Sequence, residues 1–308
     1  MRFLLIRMAI CAGALVGVAL DAGAQATLPK MIKIVVPFSP GASNDVIARA
    51  IAAPLSKRLD IPVIVENKAG AAGVIGADAV AKSPHDGSVL LLTSSTFLTA
   101  AATQPQLPYD AVDSFAPVAM IGQGPLLLAV SASTPFKSPA DLLSAARVKP
   151  GSLTYGSAGV GSVGHLATEL LNDAAKVQMT HVPYKGAANA VVDLAAGRID
   201  VMVSSYSTLA PLMKTGKVRA LAVTSTKAHA AFADLRVGVF APAGTSVSLI
   251  ERLNREINDI SASTELATIL EPDGTVAVAM TPSALASRVK EELAQWKQIA
   301  TDHKIVAE

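Results

Sequence analysis

From residue 32 onward, short β-branched apolar runs alternate with Ala-rich stretches whose apolar positions recur at helical spacing. Ile32 to Pro37 reads as a buried strand. Val46 to Leu59 reads as a helix, with Val46, Ile47, Ala50, Ile51, Leu55 and Leu59 on one face. Gly41 to Asp45 turns the chain between them, and Ser43, Asn44 or Asp45 supplies the cap. A strand at Pro62 to Glu66, a short helix at Gly73 to Ala81 and a strand at Ser88 to Ser94 complete a βαβαβ series, which implies parallel pairing.

The pattern then changes. Leu107 to Ala116 has turn chemistry, and Val118 to Ser131 reads as two strands interrupted by Gly122, Gly124 and Pro125. Ser138 to Lys149 is a helix opened by Ser138-Pro139 and closed by Pro150-Gly151. A second α/β series follows: strands at Thr154 to Gly156, Met179 to Val182, Val201 to Ser204 and Ala220 to Thr224, with helices at Val163 to Asn172 and Ala187 to Ala196. The last part holds helices at Val247 to Ser261, Ser263 to Leu270 and Pro282 to Asp302, with a short strand near Val276. Two α/β series imply two lobes and a cleft. The expected division is 27–120 with 236–308 as one lobe and 121–235 as the other.

Ligands of such sheets bind where strand ends run into helix starts. Two loops hold that place, Pro37 to Asp45 and Gly156 to Ser162. Both are rich in Gly, Ser and Ala, and neither contains Lys or Arg. Small residues expose backbone N–H groups, and the adjoining helix starts add partial positive charge, so the pair suits an anionic group held without a formal cation. The same glycines equally suit tight strand-to-helix turns alone.

Composition narrows the classes. With 51% hydrophobic residues, 16% charged and a net charge of +2, the chain has neither a disordered composition nor the basic surplus of a nucleic-acid binder. Residues 1–26 read as a cleaved export signal: Arg2 and Arg7 precede the apolar run Met8 to Leu20, and Ala22-Gly23-Ala24 and Ala24-Gln25-Ala26 offer small-x-small cleavage sites. The one cysteine, Cys11, lies inside that segment, so the mature chain has no thiol for a disulfide or a nucleophile. A soluble periplasmic protein is the expectation.

Several strings point to other chemistry and lack its companions. Gly159 to Gly164 matches the dinucleotide pattern G-x-G-x-x-G, but Pro183-Tyr184-Lys185 stands where a ribose-binding carboxylate belongs. The five histidines form no ligand spacing for zinc. His165, in the first turn after the second loop, either donates to a bound carboxylate or hydrogen-bonds the loop. Ser287-Arg288-Val289-Lys290 matches S-x-x-K in mid-helix without the strings that accompany it in serine hydrolases. Tyr184 and Trp296 read as packing residues, and Asp86 as a turn residue. No cofactor is implied.

The strings IVVPFSPGASND (Ile34 to Asp45), KPGSLTYGSAGVGSVGHLATELL, HVPYKGAANAVVDLAAGRIDVM and APAGTSVSLIERLNREIN resemble the substrate-binding proteins of tripartite tricarboxylate transporters, the Bug family. The resemblance runs through nearly all of the chain beyond the signal. It implies an α/β, two-lobed periplasmic-binding-protein-like fold with a central cleft and no enzymatic activity. It also implies a small carboxylate ligand (a di- or tricarboxylate, acidic amino acid or aromatic acid), a membrane permease as partner, and a monomer. Carried over by position, Phe38, Pro40, Gly41, Ala42, Ser43 and Asp45 form one jaw, and Ser157, Ala158, Gly159, Gly161, Ser162 and His165 the other. Ser94, Ser95, Ser204 and Ser205 supply contacts at strand ends that choose the ligand.

The sequence departs from that pattern in three places. Ser88 replaces a Tyr, and Ala42 replaces a Gly. After Ala233-Asp234-Leu235, a turn and most of a strand expected in the family are absent, and Arg236 to Phe240 takes their place. That leaves two other readings beside the receptor. One is an exported enzyme on a similar fold; the other is a binding protein impaired by a shortened hinge.

Overall fold

A computed structural model describes residues 27–224, 235–271 and 274–305, and the export signal read in residues 1–26 lies outside them. The first sheet takes its parallel half from β1 (Ile32–Val36), β2 (Val63–Asn67) and β3 (Val89–Ser94), with β1 between the other two. It is extended by β4 (Phe115–Gly124), β10 (Leu235–Pro242) and β11 (Val276–Ala277), giving the order β11-β4-β10-β3-β1-β2. The second sheet orders β7 (Thr180–Pro183), β6 (Thr154–Ser157), β8 (Val201–Ser205), β5 (Leu126–Ser131) and β9 (Val218–Val223). β6 runs parallel to β7 and β8, whereas β5 runs antiparallel to β8 and β9. Mixed sheets of this kind, covered by helices, build an α/β fold of two lobes with a cleft between them.

Helix α1 (Ser43–Leu59) follows β1, and α2 (Val74–Ala81) follows β2, as parallel crossovers require. Two helices are absent from the sequence reading: α3 (Thr96–Thr103) after β3, and α7 (Tyr206–Lys214) after β8. The others are α4 (Pro139–Val148), α5 (Val163–Ala175), α6 (Ala187–Ala195), α8 (Val247–Ser261), α9 (Thr264–Leu270) and α10 (Pro282–Asp302). α4 begins with a full capping box between Ser138 and Asp141, which explains why its start was readable.

β4 stays in the first sheet through Gly124, and β5 enters the second at Leu126, so the chain changes sheet at Pro125. Gly122 and Gly124 do not break β4. They admit a neighbour: a Cβ at Gly122 would stand 2.8 Å from the Val276 carbonyl oxygen, and one at Gly124 2.2 Å from Thr275 Oγ1. Arg236 to Phe240 lies within β10, which pairs antiparallel with β3 on one side and β4 on the other. The strand expected to be lost is therefore filled at that place in the sheet; Ala233 and Asp234 lie outside the described residues.

The apolar core has a face on each side of the first sheet. Ile47, Ile51, Leu55, Leu253 and Ile257 from α1 and α8 cover one side. On the other, Phe97, Val289 and Trp296 from α3 and α10 join a cluster that continues into Leu166 of α5 and Tyr155 of β6. That continuity seats α3 between the lobes. Among the described residues, no helix is long and apolar enough to cross a membrane.

Candidate ligand-binding site

The carboxyl ends of β1, β3, β6 and β8 face one another across the cleft, and a cavity of about 50 Å³ lies between them. From the first lobe it is lined by Phe38, Ala42, Ser43, Asn44, Ser94 and Thr96. From the second come Ala158, Ser162, Val163 and Gly164 on the β6–α5 turn, Met202 to Ser205 on β8, and Leu126, Ala187 and Thr208. None of these is charged. At about 10–15 Å³ per water, the space suits a compact solute or a handful of waters.

The first loop is braced from behind. Asp45, only 4% exposed, accepts from the Gly41 amide at 2.9 Å, Asn67 Nδ2 at 2.9 Å and Arg49 Nε at 3.1 Å. Asn67 Nδ2 also donates to the Phe38 carbonyl at 3.0 Å. Burial would raise the Asp45 pKa, but the bonds from Arg49, Gly41 and Asn67 outweigh it and hold the carboxyl below its ordinary range. The loop turns through Gly41 at φ 82°, a left-handed angle that favours glycine. The cap expected of Ser43, Asn44 or Asp45 does not form: Ala42 is the N-cap, no side chain caps α1, and Ser43 and Asn44, in the first turn, line the cavity.

The second loop has its own brace. The Ser157 hydroxyl accepts from the Gly159 amide at 3.1 Å and shares a 2.7 Å hydrogen bond with His181 Nε2. The Gly161 amide donates to His165 Nδ1 at 3.2 Å, and Ser162 Oγ accepts from the His165 amide at 3.4 Å. His165 therefore holds the loop, the second of the two roles its position suggested. Rings of His165 and His181 stack at 4.1 Å, and His181 stacks on Tyr155 at 4.8 Å. Burial, with His165 beside it, drops the His181 pKa to about 3. Across the cleft, Val163 N–H donates to Thr96 Oγ1 at 3.3 Å, and Gln104 Nε2 to the Val160 carbonyl at 3.4 Å.

The residues expected at the site thus divide. Phe38, Ala42, Ser43, Ser94, Ala158, Ser162, Ser204 and Ser205 line the cavity. Gly41, Asp45, Ser157, Gly159, Gly161 and His165 build the loops behind it, and Pro40 is exposed. Ser95 turns away, its hydroxyl accepting from the Arg236 amide at 3.1 Å. Sequence reasoning missed Asn44, Thr96, Leu126, Val163, Gly164, Ala187, Met202, Val203 and Thr208. Thr96 starts α3 and Thr208 lies in the first turn of α7, the two unread helices, and Leu126 and Met202 come in through strand pairing, which spacing along the chain does not reveal.

Among the described residues, Ser157 and His181 are the nearest approach to a nucleophile and base. The serine is 1% exposed and its partner, with a pKa of about 3, is a poor proton acceptor at neutral pH. The G-x-G-x-x-G string does open α5 after β6, but β7 ends at Pro183, Tyr184 donates to Asp193 at 2.8 Å, and Lys185 is exposed. Among the described residues, no group of three or more His, Cys, Asp or Glu could hold a metal ion. What the cavity does offer is hydroxyls, an amide and the N-terminal ends of α1, α5 and α7. Such ends suit an anion.

Comparison with known proteins agrees with this architecture. Residues 47–305 match the model of the tripartite tricarboxylate transporter family receptor. Protein BugT of Bordetella pertussis is 32% identical over 303 residues, covering 93% of this chain and 93% of that one. An R. palustris protein solved with adipate is 32% identical with a TM-score of 0.85, covering 90% of this chain and 99% of that one. MatC from Rhodopseudomonas palustris, solved with bound malate, is 29% identical with a TM-score of 0.83, covering 88% and 99%. With the fold, the cleft and the family model in agreement, the chain belongs to the tripartite tricarboxylate transporter receptor family.

Proposed function

We propose that this chain is an exported, periplasmic solute-binding protein that captures a small carboxylate in the cleft and works as a monomer, without catalysis. It would serve tripartite tricarboxylate-type uptake through a membrane permease, or sensing of the solute. The lobes would hinge where the chain passes between the sheets at Pro125. One observation carries the reading: a cavity with no charged side chain, onto which the N-termini of α1, α5 and α7 open. Partial charges and hydroxyls of this kind hold a carboxylate and give little to a neutral amide. The adipate and malate bound in two relatives support the same chemistry.

The test is a thermal-shift panel of mono-, di- and tricarboxylates, acidic amino acids and aromatic acids, each paired with its amide. A true ligand at one hundred times its Kd adds about 2.7 kcal/mol of stability. A shift with a carboxylate and none with its amide is the expected result. Equal shifts with acid and amide would count against the anion site, and a melt that no acid moves would count against the receptor reading.

A further inference from the structure

Two of the close approaches between the lobes lie beside residues that line the cavity. On one side Ser39, next to the lining residue Phe38, meets Gly186, next to the lining residue Ala187. On the other, Ala72 meets Gly159, next to the lining residue Ala158. The two glycines are there for different reasons. Gly159 has φ +124°, an angle at which any side chain is strained. Gly186 has φ 166°, which is extended backbone open to any residue. Nothing in the local path of the chain asks for glycine at 186.

The opposite lobe does. A Cβ on residue 186 would stand 2.8 Å from Ser39 Oγ, 3.1 Å from the Ser39 nitrogen and 3.2 Å from Ser39 Cβ. The hydroxyl can rotate away, but the backbone nitrogen cannot, so a methyl group at 186 forces the two lobes apart by a few tenths of an ångström. On the second side, Ala72 belongs to a turn in which Gly70, Ala71, Ala72 and Gly73 all have positive φ (139°, 47°, 52° and 93°). Two successive alanines in the left-handed region are disfavoured, and such strain persists where the surroundings hold it. That turn presents its Ala72 nitrogen to Gly159, where a Cβ would lie 3.1 Å away.

We infer that Gly186 is the closing position of the cleft: its missing side chain lets the second lobe seat on Ser39 and shut the rim over the ligand. The inference rests on the cavity being the ligand site, and its consequence is a positioning role, since Gly186 does not line the cavity. A methyl group at 186 holds the lobes apart in the closed state and is harmless in an open one.

Two measurements separate this from the receptor reading itself. The first needs no ligand. Cα-linked Cβ positions 3.2 Å apart fall just below the ~3.5–4.5 Å of disulfides. In a Cys11→Ser background, which removes the sequence's only other thiol, Ser39→Cys/Gly186→Cys should oxidise to an intramolecular cross-link, seen as thiol loss in the native protein. Failure to cross-link in a chain that folds overturns the inference. The second compares Gly186→Ala with wild type. The ligand-free melting temperature should stay the same, and the affinity for whichever of adipate or malate stabilises the wild type should fall tenfold or more. Adding Ser39→Gly, which removes two of the three close atoms, should restore part of it. Unchanged affinity, or a lowered ligand-free melt that Ser39→Gly does not repair, overturns the inference. If neither acid stabilises the wild type, the receptor reading loses those ligands while the cross-link still decides the closing contact.

Discussion

Asp45 shows how a residue can govern a site it does not touch. Its carboxylate gathers Gly41, Asn67 and Arg49 behind the first jaw, so the loop's shape depends on one buried negative charge. Asp45→Ala should cost about 1–3 kcal/mol in urea unfolding, the range for leaving buried partners unsatisfied, and should weaken ligand binding as the loop loosens. Its low pKa contributes stability above the ordinary carboxylate range that is lost only as pH falls through the folded value. His181 works over a different window. Its folded pKa of about 3 lies below the ordinary histidine value of 6.5, so the unfolded chain takes up the proton first. Stability should therefore fall as pH drops from about 6.5 toward 3, by at most about 1.4 kcal/mol per pH unit from this one group. Urea melts between pH 7.5 and 4 measure the slope, and His181→Gln should flatten it. A slope unchanged in that variant would remove His181 as its source.

At the scale of elements, α3 joins the core to the cleft. Phe97 packs edge-on to Phe115 with ring centroids 5.1 Å apart, and lies 5.5 Å from Phe240 and 5.9 Å from Tyr109. One residue earlier, Thr96 accepts from the first amide of α5 across the cleft. Phe97→Ala should cost about 3–5 kcal/mol by guanidinium denaturation, as a large aromatic lost from a packed core does. Yet this helix was invisible to periodicity: Thr96 to Thr103 is one short, Thr- and Ala-rich stretch with no clear apolar face, and its fate depends on Phe115 and Phe240 far along the chain. α7 was hidden for a related reason. Pro211 lies inside it and argues against a helix, but Leu209, fully buried against the second sheet, outweighs that local preference. The longer helices α8 and α10 were legible end to end because an apolar stripe persists over several turns. The jaw loops were legible as Gly- and Ser-rich turns, whereas the side of each loop that meets the cavity was set by braces such as Asp45 to Gly41, which a single sequence does not display.

Across the whole molecule, α10 connects the lobes away from the ligand. Near its middle, Glu292 accepts from Arg288 Nε at 2.8 Å and pairs with Arg236 Nη1 at 3.0 Å, on the strand that returns from the second sheet. At its end, His303 Nδ1 meets Asp173 of α5 in the other lobe at 2.7 Å. The Arg236 and Glu292 side chains are only 14% and 10% exposed, so their pairing is shielded from solvent, and Arg236 Nε is buried without a hydrogen-bond partner. Removing one member of such a pair leaves the other charge stranded, at about 3–5 kcal/mol, whereas replacing both with apolar residues is often neutral or better. Glu292→Leu should thus lower the melting temperature sharply, and Arg236→Met added to it should recover most of the loss. The comparison also tells fold from function. If the double variant melts like wild type but its carboxylate-induced shift has shrunk, the ion pair sets the path of the returning strand and hence the swing of the lobes. If the shift is intact as well, the pair only fastens α10, and closure depends on the rim contacts alone.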